Sequence, residues 1–143
     1  LNIYYAPGPR ITYISKEKHD RIMKLHPVLH LNEKEAIDFT GCGSMEEAAK
    51  KFEQMTGNRV IITAGSKGAY LQEKGQGTLI TSEKAVVVDT IGAGDSHIGA
   101  VISAVMCQKS FEAAVAVANK VSAAVVGVEG PSITKEEFQQ INF

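Results

Sequence analysis

Three features of the sequence predict an α/β fold with a mainly parallel sheet, helices on both faces and an antiparallel hairpin at one edge. Short apolar runs alternate with helical patterns along the chain, which is the order produced by βαβ units. Two of the runs, Val60–Thr63 and Ala85–Val88, read as strands buried in a sheet. The second run leads through a glycine turn into a long apolar helix, which is how open α/β sheets place ligands at the carboxyl edge of their strands.

The elements follow in order. Residues 1–6 form a strand candidate that ends at the breaker cluster Pro7-Gly8-Pro9. A helix over about 15–25 has Ser15 as its N-cap and Ile22 and Leu25 inward. Val28–Leu31 is a short strand leading into Asn32, and a helix over 33–39 precedes Gly41-Cys42-Gly43. Ser44 and Glu47 form a capping-box pattern for a helix to about Met55, stopped near Gly57. After the Val60–Thr63 strand, residues 69–72 and 78–81 form a hairpin around Lys74-Gly75-Gln76-Gly77. Ala85–Val88 then returns to the sheet, and helices over about 95–108 and 111–126 complete the core. Ile98, Val101, Ile102, Val105 and Met106 mark one apolar face of the first, and small residues (Gly99, Ala100, Ser103, Ala104) mark the other. Thr134 with Glu137 caps a last short helix.

Residues 89–95 read Asp-Thr-Ile-Gly-Ala-Gly-Asp. Gly92 and Gly94 let the backbone turn tightly and approach a ligand, so N–H groups converge on an anion, reinforced by the positive end of the following helix. An Asp in the mouth of such a site repels anions, so Asp95 is expected to act on a second reactant. A Walker loop is excluded because no Lys follows the turn. A dinucleotide fingerprint fails because His97 stands where a third Gly or Ala is needed. A bland alternative remains: a glycine turn before a helix with an Asp in its first turn.

Residues 89–95 resemble the signature of the ribokinase-like, or PfkB, carbohydrate kinases, Asp-Thr-x-Gly-Ala-Gly-Asp. Asn32-Glu33-Lys34-Glu35 is similar to that family's Asn-x-x-Glu motif, and Thr63–Gly68 to its Thr-x-Gly-x-x-Gly motif, in the same order. The resemblance implies a three-layer α/β/α, Rossmann-like sandwich. It also implies that residues 1–143 are a single nucleotide-binding C-terminal lobe, a partial domain whose N-terminal half is absent. An uncovered sheet edge and self-association are then expected.

The resemblance further assigns roles. Asp95 is the catalytic base, with Gly92, Ala93 and Gly94 forming the anion-binding turn. Asn32, Thr63, Gly65, Gly68 and Asn119 are expected to face the nucleotide, Asn119 at the border of an adenine pocket. Glu35 is expected to hold Mg²⁺ through water, and Asp89 with Ser132 a monovalent cation such as K⁺. Each carries a plainer reading. Asn32 with Glu35 is also a helix capping box; Thr63–Gly68 is also a strand-to-hairpin turn; Asn119 is either a buried amide in need of a partner or a surface residue beside Lys120. Most relatives carry an apolar aromatic where this chain has His97, which reads as a change in packing or acceptor fit. His19, His26 and His30 read as surface or packing residues.

The chain has 143 residues, 44% hydrophobic and 22% charged, with net charge −1, which suits a globular piece with a core. No basic stripe points to nucleic acid and no apolar run is long enough to span a bilayer. Cys42 and Cys107 lack metal-ligand spacing and read as reduced thiols, so a cytoplasmic protein is expected. The chain opens at Leu1, without an initiator Met, inside the first expected strand.

The expected chemistry is ATP-dependent phosphoryl transfer to a hydroxyl of a sugar or related small molecule. Asp95 takes the acceptor's proton, and the N–H groups of Ala93, Gly94 and Asp95 stabilise charge on the transferring group. With an unperturbed pKa of about 3.9, Asp is a weak base for an alcohol, so proton transfer is late. The lobe alone is expected to be inactive. Two other classes remain, a non-catalytic nucleotide-binding lobe and a dinucleotide-dependent oxidoreductase, the latter disfavoured by the failed fingerprint. The acceptor is not legible in these residues.

Overall fold

The structure is a computed structural model and describes residues 2–82, 86–128, 130 and 133–141. The sequence contains no obvious linker, yet the chain divides into two compact units: residues 1–64 with 70–79, and residues 65–69 with 80–143.

The first unit holds most of a five-stranded sheet, ordered as in the chain: β1 (Tyr4–Tyr5), β2 (Val28–Asn32), β3 (Val60–Thr63), β4 (Ala69–Glu73) and β5 (Gln76–Ile80). β1, β2 and β3 run parallel. Helix α1 (Lys16–Met23) connects β1 to β2, and α2 (Glu33–Thr40) and α3 (Met45–Thr56) connect β2 to β3. Val28, Leu29, His30 and Leu31 are all buried, as are Val60, Ile61 and Ile62. Both faces of these strands are therefore withdrawn from water, as in a parallel sheet.

The core of this unit forms where α3 turns Met45, Ala48, Ala49 and Phe52 toward Leu29, Leu31, Val60 and Ile62. Phe52 is fully buried and stacks on Phe39 with ring centroids 5.4 Å apart. Burial of such a ring stabilises the fold by about 1.5–3 kcal/mol. His19 meets the edge of Phe39 at 4.8 Å, and its Nε2 lies 2.8 Å from the Ile11 carbonyl, anchoring the 3-10 segment Gly8–Tyr13. Helices α2 and α3 both end on left-handed glycines, Gly41 and Gly57, the expected C-cap conformation. The hairpin turn is tighter than the sequence suggests. Lys74 and Gly75 both have positive φ, giving a two-residue turn of the type that matches strand twist. Glu53 on α3 holds it, its carboxylate accepting the Gln72 amide at 2.7 Å and the Gly75 N–H at 3.1 Å.

Other expectations shift by a turn or a face. β1 is confined to Tyr4–Tyr5. Helix α1 stops at Met23, so Leu25 falls out of helical phase and is 59% exposed. His19 and Met23, one helical turn apart, face inward instead. Ser15 is the N-cap of α1 without a side-chain cap bond. Ser44 caps α3 by accepting the Glu47 N–H, but Glu47 accepts from Gly43 instead of Ser44, so that capping box is not closed.

The second unit is dominated by two helices, α4 (Ala93–Met106) and α5 (Phe111–Val126), joined by a four-residue connection that makes them antiparallel neighbours. Ser110 caps α5, and Thr134 with Glu137 forms the expected capping box of α6 (Lys135–Gln139). The face of α4 that is buried carries His97, Val101 and Ala104. Ile98, Ile102 and Val105 are only half-buried and Met106 is exposed, because α5 offers small side chains such as Ala114 and Ala118 that admit close approach on the other side. The small residues Gly99, Ala100 and Ser103 line an open groove of about 640 Å³ with Val117, Val121 and Phe138.

The expected strand at 85–88 is corrected. Ala85 lies outside the described residues, while Val86, Val87 and Val88 form no strand and are 83%, 60% and 59% exposed. The Val88 and Asp89 N–H groups both reach the Val126 carbonyl, at 2.7 and 3.2 Å, so the run is tied by its end to the close of α5 and not to a ladder. Apolar length in a sequence reports a wish for burial and not the partner that supplies it. Among the described residues no helix is long and apolar enough to cross a membrane.

Candidate functional site

The candidate residues fall into two groups, one in each unit. In the first unit the register of β2 against β3 pairs Asn32 with Thr63. Two motifs more than thirty residues apart in sequence therefore begin side by side at the carboxyl ends of adjacent parallel strands, where α/β folds place ligands. Asn32 Oδ1 accepts the Glu35 N–H at 2.8 Å, and Glu35 Oε2 accepts the Asn32 N–H at 3.0 Å. The capping box is formed; it occupies one oxygen of the half-buried Glu35 carboxylate and leaves Oε1 outside it. The half-buried Thr63 hydroxyl donates to Leu31 O at 3.3 Å, well beyond the roughly 2.7–2.8 Å usual for a hydroxyl donor, so it is loosely held.

The second unit carries the rest. Gly65 opens a single 3-10 turn, Gly65–Lys67, with φ +56 and open space around it. Gly68 differs. It is buried at φ +107, and a Cβ there would collide with the Ile80 carbonyl and come within 2.8 Å of the Ser82 nitrogen. Its N–H donates to Gly65 O at 3.1 Å. The N–H of Gly68, expected to face the nucleotide, is thus spent within the turn, and its missing side chain admits the backbone of 80–82.

The Asp-Thr-Ile-Gly-Ala-Gly-Asp segment folds as a loop into α4. Asp89 organises it, Oδ1 accepting the Ile91 N–H at 2.9 Å and Oδ2 the Gly130 N–H at 3.3 Å. Ser132, its expected companion at a cation, lies outside the described residues. Gly92 turns the chain at φ +79 and is the N-cap of α4, with no side chain capping the helix. The first helical bond runs from Ser96 N–H to Gly92 O at 2.9 Å. The N–H groups of Gly94 and Asp95 precede it and point out of the helix end, as those of a first turn do. Ala93 N–H is instead engaged by Thr90 O at 3.3 Å, which removes one of the three expected donors. The Ser122 hydroxyl on α5 holds the Ala93 carbonyl at 3.2 Å. Gly94 and Asp95 are both exposed, with open space around Gly94. This end of the helix therefore presents a carboxylate, two outward N–H groups and the positive pole of the helix at one place.

Asn119 is 4% exposed and both ends of its amide have partners. Nδ2 donates to Ile80 O at 2.8 Å and lies 3.4 Å from Thr81 O, while Oδ1 meets His97 Nε2 at 3.0 Å. The buried-amide reading is correct and the surface one is not. His97 is 2% exposed, and burial pushes its pKa below the usual value, with the Asn119 bond opposing that shift in part. Neutral His97 is thus the form the fold prefers. As pH falls through about 6.5, the unfolded chain takes up a proton that the buried ring resists, so stability is lost until the folded pKa is passed. Urea midpoints at pH 7.5 and 5.5 are expected to fall more for wild type than for His97→Phe. An identical pH dependence in the two would contradict this.

Reading residues singly missed the pairing of His97 with Asn119. The signal was present, because 97 and 119 lie equally far from Gln108 in the middle of the α4–α5 connection, and antiparallel helices bring such positions level. The Ile80–Ser82 backbone carried no signal at all, since carbonyls are anonymous in a sequence.

Comparison with known proteins gives the family and the fold. The family model for pfkB family carbohydrate kinases matches residues 4–137. An uncharacterized sugar kinase of Escherichia coli K12, YegV, is 32% identical over 136 residues, covering 91% of this chain and 42% of its own length. The ribokinase of Staphylococcus aureus COL is 29% identical over 134 residues, covering 90% and 44%. The crystal structure of ribokinase from Thermotoga maritima superposes with a TM-score of 0.84 at 29% identity, over 98% of this chain and 48% of that one. The chain thus spans less than half the length of these relatives. The shared fold is the ribokinase-like α/β/α sandwich with a mostly parallel sheet. With the motifs in order, the strand ends in register and the family model spanning nearly all of it, the chain belongs to the pfkB carbohydrate kinase family.

Proposed function

We propose that this chain is the nucleotide-handling C-terminal lobe of an ATP-dependent kinase acting on a hydroxyl of a sugar or related small molecule, with Asp95 as catalytic base. The observation that carries the reading is the uncapped start of α4, where the exposed Asp95 carboxylate stands beside the outward N–H groups of Gly94 and Asp95. A bare anion site has no use for that carboxylate, whereas a site that must also receive an alcohol proton does. In the reaction the acceptor oxygen bonds to the γ-phosphorus as the bond to the ADP oxygen breaks, and the alcohol proton passes to Asp95. The two N–H groups and the helix end face the charge on the transferring group.

The nucleotide side of the proposal rests on Asn32, Thr63 and Gly65. Gly68 and Asn119 support it from behind, through the backbone they hold. Among the described residues no group of three or more His, Cys, Asp or Glu side chains is placed to hold a metal. A half-buried Glu35 with one oxygen outside its capping box suits Mg²⁺, which keeps several waters and is bound through one or two carboxylates and substrate phosphates. Mg²⁺ would supply positive charge against the phosphates. A monovalent cation such as K⁺ beside Asp89 and Ser132, a cytoplasmic location and self-association through an uncovered sheet edge belong to the same proposal.

The reading is tested by incubating a complete protein that carries this chain with γ-labelled ATP, Mg²⁺ and a panel of sugars and nucleosides. Label is expected on an acceptor hydroxyl. Binding of ATP without transfer to any member of the panel would favour a non-catalytic nucleotide-binding lobe, and protection by NAD instead of ATP would favour an oxidoreductase.

A further inference from the structure

A polar bridge runs through the second unit and joins two motifs that the sequence separates. His97 stands on α4, two residues after Asp95, and its Nε2 meets Asn119 Oδ1 at 3.0 Å. On the far side of the same amide, Asn119 Nδ2 donates to Ile80 O at 2.8 Å and approaches Thr81 O at 3.4 Å. The backbone of 80–82 in turn fills the space that a side chain on Gly68 would need. The chain of contact is therefore α4, His97, Asn119, Ile80–Ser82 and the Gly65–Gly68 turn.

Each link has a defined polarity. The Ile80 and Thr81 carbonyls accept only, which fixes the amide with Nδ2 toward them and Oδ1 toward His97. Oδ1 also accepts only, so the ring must carry its proton on Nε2. His97 and Asn119 are 2% and 4% exposed, so water does not readily replace a lost partner. Removal of the imidazole donor leaves a buried acceptor unpaired, so the amide is held from one side only and its grip on the Ile80 and Thr81 carbonyls loosens.

We propose that His97 is a positioning residue that acts through Asn119 to hold the Ile80–Ser82 backbone against Gly68, and so sets the shape of the Gly65–Gly68 turn for a nucleotide phosphate. This rests on the functional reading given above. It predicts a role for His97 on the nucleotide side of the site, although Asp95 is its neighbour in sequence. The Asp95 carboxylate is exposed while His97 is buried, so the two side chains face different surroundings.

The test compares His97→Phe, which keeps an aromatic ring but removes the donor, with His97→Gln, whose amide can donate from nearly the position of Nε2. Two readouts are taken on folded protein, hydrogen exchange of the amides at 65–69 and 80–82 and calorimetric affinity for Mg·ATP in a complete protein carrying the chain. His97→Phe is expected to speed exchange in both segments and to weaken Mg·ATP about tenfold, the scale of one lost buried hydrogen bond. His97→Gln is expected to restore both. A folded His97→Phe with wild-type protection at 65–69 would overturn the proposal, as would a His97→Gln that behaves like His97→Phe. Should His97→Phe fail to fold, the imidazole ¹⁵N shifts of the wild type decide, because an Nδ1–H tautomer is incompatible with the bridge. Absence of Mg·ATP binding in the wild type would instead remove the functional reading, leaving the exchange result to judge the bridge by itself.

Discussion

Incubated alone with ATP, Mg²⁺ and a panel of sugars and nucleosides, this chain is expected to phosphorylate nothing and to bind ATP weakly at most. Phosphoryl transfer depends largely on positioning, and holding two reactants together is commonly worth effective molarities of about 10⁵ M or more. The residues that face a nucleotide in the proposal, Asn32, Thr63, Gly65 and the start of α4, lie within the chain. The chain spans 42% of the Escherichia coli sugar kinase and 48% of the Thermotoga maritima ribokinase, and the proposal places no acceptor-binding residue in it besides Asp95. A rate limited by random encounter of the alcohol with Asp95 is the consequence. The check is a radiometric assay on the chain shown intact by mass spectrometry. Robust, saturable transfer would mean that the acceptor site is built from these 143 residues and that this account of it is wrong.

In a complete protein, Asp95→Asn is expected to leave ATP binding nearly unchanged and to cut turnover by about 10²–10⁴, the usual worth of a general base, or roughly 3 to 5.5 kcal/mol of barrier. The split follows from the geometry. Asp95 reaches solvent from the first turn of α4 while its N–H lies along the helix end. Asparagine keeps that backbone and nearly the same shape, so the outward N–H groups persist. What it loses is the capacity to take the alcohol proton. A change confined to KM would instead mark Asp95 as a binding residue.

The parts of the fold legible in the sequence were those set by local chemistry. The Asn32–Glu35 and Thr134–Glu137 boxes and the glycine stop at Gly57 are written within four or five residues, and all form as read. The phase of α4 was not local. Its apolar side chains nearly encircle the helix, and which of them are buried depends on the small residues of α5, so His97, Val101 and Ala104 turn inward while Met106 does not. The same holds for Val86–Val88, whose run of valines states a preference for burial without naming a partner strand.

The candidate site divides along the same line. Glycine and carboxylate spacing located the start of α4, because an N-terminal turn is a local object. Which N–H groups remain available was decided by the turns the motifs adopt, which spacing alone does not give: Thr90 O engages Ala93, and Gly65 O engages Gly68. The side-by-side placement of Asn32 and Thr63 required the β2–β3 register, and the role of Asn119 required two carbonyls nearly forty residues away.

Proton acceptance by Asp95 at the open end of α4 is measured by following γ-labelled ATP in a complete protein. The acceptor used is one that the wild type phosphorylates, and wild type and Asp95→Asn are compared with ATP affinity measured in parallel. Label is expected on the acceptor hydroxyl for wild type, with turnover lowered by about 10²–10⁴ and ATP affinity kept for the variant. Turnover of Asp95→Asn within about threefold of wild type, at equal ATP affinity, would contradict it.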